Sequence, residues 1–144
     1  MIYNIDPKLW GKHFWNTIHY ITISYPNNPT TDQKRNIKLF FELLGGLLPC
    51  ENCRAHFAKN IQTYPLTDEI LNSRYKLIEW AVKVHNEVNN RTGKQYVSVN
   101  EAIQMYTQDT NKQESFLQGR WNSTITMILL ILLIVVLIYY VKFR

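Results

Sequence analysis

The chain has 144 residues, 46% of them apolar and 13% aromatic, with two cysteines, four tryptophans and a formal net charge of +5. That is enough apolar material for one packed domain of about 100 residues and too little for two. Lysine and arginine are dispersed along the sequence without interleaved aromatics, so nucleic acid is not an expected partner.

In chain order, Asp6 is placed to cap a first helix that starts at Pro7. Trp10, Phe14, Ile18 and Ile21 then fall along one face until Tyr25-Pro26 stops it. Thr30 or Thr31 opens a second helix with Ile37, Phe40, Phe41 and Leu44 inward, and Gly45-Gly46 is expected to close it. Leu47-Leu48-Pro49 turns the chain into a third helix that reaches about Gln62. A fourth, from around Asp68 or Ser73, sets Ile78, Ala81, Val82, His85 and Val88 on one stripe and ends near Gly93. Ser98-Val99-Asn100-Glu101 has capping-box form and predicts a short fifth helix through Tyr106. No segment alternates as a strand does, so the fold class is all-α, and a thioredoxin-like domain built around a sheet is excluded.

The two cysteines form the run Cys50-Glu51-Asn52-Cys53 directly after Pro49. Two thiols three residues apart at the first turn of a helix can close a small ring, and the helix N-terminus favours the attacking thiolate through free N–H groups and its dipole. A structural zinc needs four ligands, yet no second C-x-x-C accompanies the pair and His13, His19, His56 and His85 are scattered singly. A purely structural staple across so short a loop removes little unfolded-state entropy. Redox chemistry is the leading reading, but the pair alone does not say whether the protein donates, accepts or shuffles disulfides.

From Ile125 to Val141 the chain is uncharged, with only Thr126, Tyr139 and Tyr140 polar. This is long enough to span a bilayer, and Trp121 on one side with Tyr139, Tyr140, Lys142 and Arg144 on the other suit the two interfaces. The N-terminal residues carry no basic segment followed by an apolar one, so no signal peptide is read and a tail-anchored arrangement with a cytosol-facing domain is expected. Residues 109–122 are mostly polar and read as a linker. The expected organisation is a domain over 1–108, the linker 109–122 and a membrane anchor over 123–144.

The stretch from Trp80 to Lys94 resembles the flavin-binding segment of the Erv/ALR family of FAD-linked sulfhydryl oxidases, W-x-x-x-x-H-N-x-V-N-x-x-x-G-K, with Trp80, His85, Asn86, Val88, Asn89, Gly93 and Lys94 at the matching positions. Gly11-Lys12-His13-Phe14-Trp15 through His19 resembles that family's G-[RK]-x-x-W-x-x-[LI]-H, and Pro49 to Cys53 its P-C-x-x-C. Three motifs in the right order cover residues 7–108. The resemblance implies a four-helix bundle with a short fifth helix, FAD at the helix ends, and a flavin ring beside the cysteine pair. It implies Gly11, Lys12, Trp15, His19, Trp80, His85, Asn86, Val88, Asn89 and Lys94 as cofactor contacts. Physically, His85 and Asn89 share a helical face that can meet a nucleotide, and Lys94 can pair with a phosphate. Taken singly, the same histidine and tryptophans would serve equally as core residues.

In the implied mechanism Cys50, expected to be the more exposed thiol, exchanges with a substrate dithiol, Cys53 passes the electrons to FAD, and O2 is reduced to hydrogen peroxide. His56, one turn after Cys53, is a candidate to orient or polarise the pair, or simply an exposed helical histidine. The family's additional structural and shuttle cysteines are missing, and Tyr106 stands where tryptophan is usual. Protein thiols, with a thioredoxin-like carrier as the obvious candidate, must therefore reach Cys50 directly. So minimal a chain most resembles the versions encoded by large cytoplasmic DNA viruses, which would place it in a virion membrane or host cytoplasm, as a homodimer by family expectation. The competing readings are a membrane-tethered scaffold, a thiol-disulfide exchange protein without flavin, and a zinc module.

Overall fold

The structure, a computed structural model, describes residues 4–142, apart from the side chains at 109–117, 119, 122 and 135–137. The elements are α1 (Pro7–Ile23), α2 (Thr31–Leu47), α3 (Glu51–Thr63), α4 (Asp68–Leu71), α5 (Arg74–Arg91) and α6 (Val99–Lys142), and no strand occurs among the described residues. They divide into two compact units, Met1–Tyr106 and Thr107–Arg144.

Each helix of the first unit begins where its capping residue dictates. The Asp6 carboxylate accepts the Lys8 N–H at 2.9 Å. Thr30 and Gln33 form a reciprocal capping box, and Ser98 and Glu101 form another. The expected fourth helix is two: Thr67 caps the single turn α4, and Ser73 caps α5. A Tyr25 hydroxyl that donates to the Leu71 carbonyl at 2.9 Å ties the end of α1 to α4. α1 packs on α5, α2 on α3, and α3 on α5, around Ile18, Phe41, Phe57, Leu77, Trp80 and Val84. Each such side chain contributes about 2 kcal/mol through burial.

Two boundaries differ from expectation. Gly45-Gly46 does not end α2, which continues to Leu47. A Cβ added at Gly45 would lie 3.4 Å from the Phe57 ring, so this glycine serves close approach of α3 rather than termination. The stop comes from Pro49, which forces Leu48 into an extended conformation with ψ 133°. The second difference is that helix is assigned through residues 107–122 instead of ending at Tyr106. The stretch has no proline, and Gln108, Lys112, Gln113, Glu114, Leu117, Gln118 and Arg120 within it are good helix formers.

In the second unit Ser123–Lys142 is a 20-residue helix of mean hydropathy 2.9, none of it buried. At 1.5 Å per residue it is about 30 Å long, enough by length and composition to cross a bilayer. Arg144, an expected interfacial anchor, lies outside the described residues.

Candidate functional site

Cys50 is the N-cap of α3, with extended backbone at φ −154°, and Cys53 sits one turn inside. The two are joined by a disulfide with Cα atoms 5.1 Å apart. The Cys53 N–H donates to Cys50 Sγ at 3.2 Å, so the sulfur itself takes the place of a capping oxygen. Arg54 Nη1 donates to the Leu48 carbonyl at 2.7 Å and holds the turn that presents the pair. The expected exposures are reversed. Cys50 is only 6% accessible, whereas Cys53 is half-buried. The segment before α1 is bonded on either side of Cys50: Ile5 N–H donates to the Pro49 carbonyl at 2.7 Å, and the Asn4 side-chain oxygen accepts the Glu51 N–H at 3.3 Å.

Cys53 lines a cleft of about 760 Å³, within the usual range for ligand pockets. Along one wall α1 contributes Trp10, Gly11, Lys12, Phe14, Trp15 and His19. Opposite, α5 contributes Val82, His85, Asn86, Val88, Asn89 and Arg91, and Lys94 follows just beyond its end. His56 and Phe57 enter from α3, and Ala102, Met105 and Tyr106 from the start of α6. Gly93, with φ 68°, adopts the left-handed conformation that ends α5 and releases the chain toward Lys94.

The cleft centre is aromatic and uncharged. The Trp15 and His85 rings stack at 4.0 Å and 5°. His19 stacks on Tyr106 at 4.5 Å, and its Nε2 lies 2.9 Å from His85 Nδ1. Burial pushes the His19 pKa down to about 4. That of His85 falls to about 3 through burial first, then through the charges of His19 and Lys94. Both rings are therefore neutral at pH 7, one donating and the other accepting. Whichever tautomer holds, buried His19 Nδ1 has no hydrogen-bond partner. An unsatisfied buried polar atom of this kind costs about 1–3 kcal/mol.

Of the residues singled out from sequence, Cys53, Gly11, Lys12, Trp15, His19, His85, Asn86, Val88, Asn89 and Lys94 meet in this one cleft. Trp80 does not join them. It is 4% exposed, packs edge-on against Phe41, and donates its indole N–H to the Tyr64 carbonyl at 2.7 Å. Asn86 is occupied with the chain beyond α5, donating to the Val97 carbonyl and accepting the Val97 N–H. The sequence reading missed Arg91, Trp10 and Tyr106 as lining residues. Arg91 carried a findable signal, because it lies six residues after His85 in the segment that ends at Lys94. Among the described residues there is no group of three or more potential metal ligands. Flat apolar rings flanked by Lys12, Arg91 and Lys94 suit an elongated ligand with ring systems and an anionic middle.

The sequence profile of the Erv1 / Alr family matches residues 12–116. A protein of Acanthamoeba polyphaga mimivirus, named a probable FAD-linked sulfhydryl oxidase, is 40% identical over 100 residues, covering 69% of this chain and 70% of that protein. An FAD-linked sulfhydryl oxidase of African swine fever virus is 29% identical over 118 residues, 79% of this chain and 97% of its own length. Among solved structures, the FAD binding domain of Erv1 from Saccharomyces cerevisiae superposes with a TM-score of 0.66 at 28% identity, covering 72% of this chain and 95% of that domain.

Proposed function

The chain belongs to the Erv1/Alr family, and we propose that it is an FAD-linked sulfhydryl oxidase that makes disulfide bonds in thiol substrates. The observation that carries this is a C-x-x-C disulfide opening into a cleft whose walls are the family's other two motifs. Two features support a flavin nucleotide there. His19 Nδ1 is a buried polar atom left for a ligand to satisfy, and Gly11 faces open space where any other residue would place a Cβ. FAD, when bound, supplies the two-electron acceptor for the dithiol and passes the electrons to O2, which gives hydrogen peroxide.

The remaining work falls to side chains of this chain. Cys50 exchanges with the substrate, because its sulfur already holds the α3 N-terminal N–H that stabilises a thiolate. Cys53 faces the cleft and completes the pair. Trp15 and His85 offer stacking faces, Asn89 and His19 neutral polar contacts, and Lys12, Arg91 and Lys94 charge for a diphosphate. Trp80 acts through the core that sets the register of α5.

The natural reductants are protein dithiols or a thioredoxin-like carrier, since the chain has no further cysteine to act as a shuttle. Residues 1–108 carry the chemistry and Ser123–Lys142 attaches the protein to a membrane, a role supported by its length and hydropathy. A homodimer is supported by the exposed Leu9, Leu39, Leu43 and Leu47 on α1 and α2.

Purified protein should be yellow, with a flavin spectrum, and should consume O2 on addition of dithiothreitol. His85→Ala and Lys94→Ala should lose FAD and holoprotein thermal stability together. Glu79→Ala, exposed on the same helix and outside the cleft, should do neither. Full flavin occupancy in both cleft variants would overturn the assignment.

A further inference from the structure

The geometry points to Asn4 and Ile5 as a strap that occupies the docking position of an extended, cysteine-bearing substrate peptide and must leave before that peptide reaches Cys50. The inference rests on the proposed oxidase reading. Its basis is the pair of hydrogen bonds that bracket Cys50: Ile5 N–H on the Pro49 carbonyl before it, and Asn4 Oδ1 on the Glu51 N–H after it. A third bond, from the Trp10 indole N–H to the Ile5 carbonyl at 3.2 Å, holds the strap against the first turn of α1.

Two properties make this a substrate position rather than a permanent cover. The groups engaged are backbone acceptor and donor flanking the reactive residue, which any extended peptide can satisfy with its own backbone. The strap is also weakly held, with Ile5 still 44% exposed and no aliphatic anchor in the core. Exchange requires access, because a substrate thiolate must bond to Cys50 Sγ as the Cys50–Cys53 bond breaks and Cys53 leaves as thiolate. At 6% accessibility Cys50 does not offer it while the strap is in place. A peptide that displaces the strap takes over the Pro49 carbonyl and the Glu51 N–H, so little hydrogen bonding is lost in the trade.

The test uses full-length protein carrying Cys53→Ser, which leaves Cys50 as its one thiol. That thiol is reacted with a cysteine hexapeptide carried as its thionitrobenzoate disulfide, and release of thionitrobenzoate is followed by absorbance. Ile5→Pro removes the strap's donor and Asn4→Ala its acceptor; each should speed the reaction about three- to tenfold, the scale of one hydrogen bond. Methylating the backbone nitrogens beside the peptide's cysteine should slow it by a similar factor. Asn4→Ala keeps the Ile5 contacts, so it decides the matter if Ile5→Pro fails to fold. No acceleration in any folded variant, or no effect of methylation, overturns the proposal. Flavin takes no part in this reaction, so failure here leaves the oxidase reading standing, and absence of oxidase turnover leaves the strap standing.

Discussion

Replacing Gly11 with alanine should move the free and flavin-loaded proteins in opposite directions. Gly11 is the fifth residue of α1, inside a helix where glycine costs about 1 kcal/mol relative to alanine. An added Cβ meets no atom within 4 Å, so nothing in the protein opposes the change. The apo form should gain roughly 1 kcal/mol, or about 4–8 °C in melting temperature for a domain of this size. The same methyl projects into the cleft. If a flavin nucleotide packs against α1 there, overpacking of about 1–3 kcal/mol should weaken its binding about 5- to 150-fold. Calorimetric melting with and without FAD, and titration of apoprotein by quenching of flavin fluorescence, measure both arms. Unchanged FAD affinity would show that the cofactor does not approach Gly11, and a less stable apoprotein would refute the open-space reading itself.

Three more outcomes follow from the same geometry. Cys53→Ser, offered a substrate peptide carried as its thionitrobenzoate disulfide, should form a stable mixed disulfide on Cys50 with release of thionitrobenzoate, Cys50→Ser should form none, and both should lose dithiothreitol oxidation; non-reducing electrophoresis showing the reverse would exchange the two roles. Because His19 has a folded pKa of about 4 against 6.5 for an ordinary histidine, the unfolded chain binds more protons between those values, so stability should be flat above pH 6.5 and fall by roughly 3 kcal/mol on this account alone as pH drops to 4. His19→Gln should reduce the acid slope in pH-dependent melting without abolishing it, because His85, with its pKa pushed down to about 3, contributes in the same sense over the same range, and an unaltered slope would place the acid lability elsewhere. Truncation after residue 122 should release the protein into the soluble fraction with flavin retained, whereas the full chain should resist extraction from membranes by alkaline carbonate; flavin loss on truncation would refute the division.

What the sequence made legible depended on how local the cause was. Caps are local, and Asp6, Thr30 and Ser98 sit where their side chains were expected to act. The cleft was legible because its walls are periodic: residues four apart on α1 and on α5 must share a face, and both faces line it. Gly45-Gly46 misled because its reason lies on another helix, in the ring of Phe57. Trp80 shares its motif with His85 yet points into the core, since five positions along α5 turn the side chain well away from the cleft. The exposure of Cys50 was illegible for a further reason: the backbone groups beside it are bonded to residues forty-four and forty-seven positions earlier, and long-range bonds of that kind leave no signature in side-chain pattern.

The disulfide needs no sheet because the few residues around it supply their own frame. Pro49 prevents α2 from running into α3, which leaves Cys50 extended and its sulfur turned back onto the Cys53 N–H. Arg54, one residue past the pair, returns to clamp the Leu48 carbonyl and fixes the approach to the turn. The frame therefore does not depend on the state of the sulfurs. On reduction, Cys50 Sγ gains charge at the same helix terminus whose N–H it already accepts, and the dipole favours that charge without any backbone movement. Cys53, held one turn inside and open to the cleft, stays in place as its partner changes bond. On the strap proposal, the part that must move for exchange is Asn4 and Ile5, bonded to the residues on either side of Cys50.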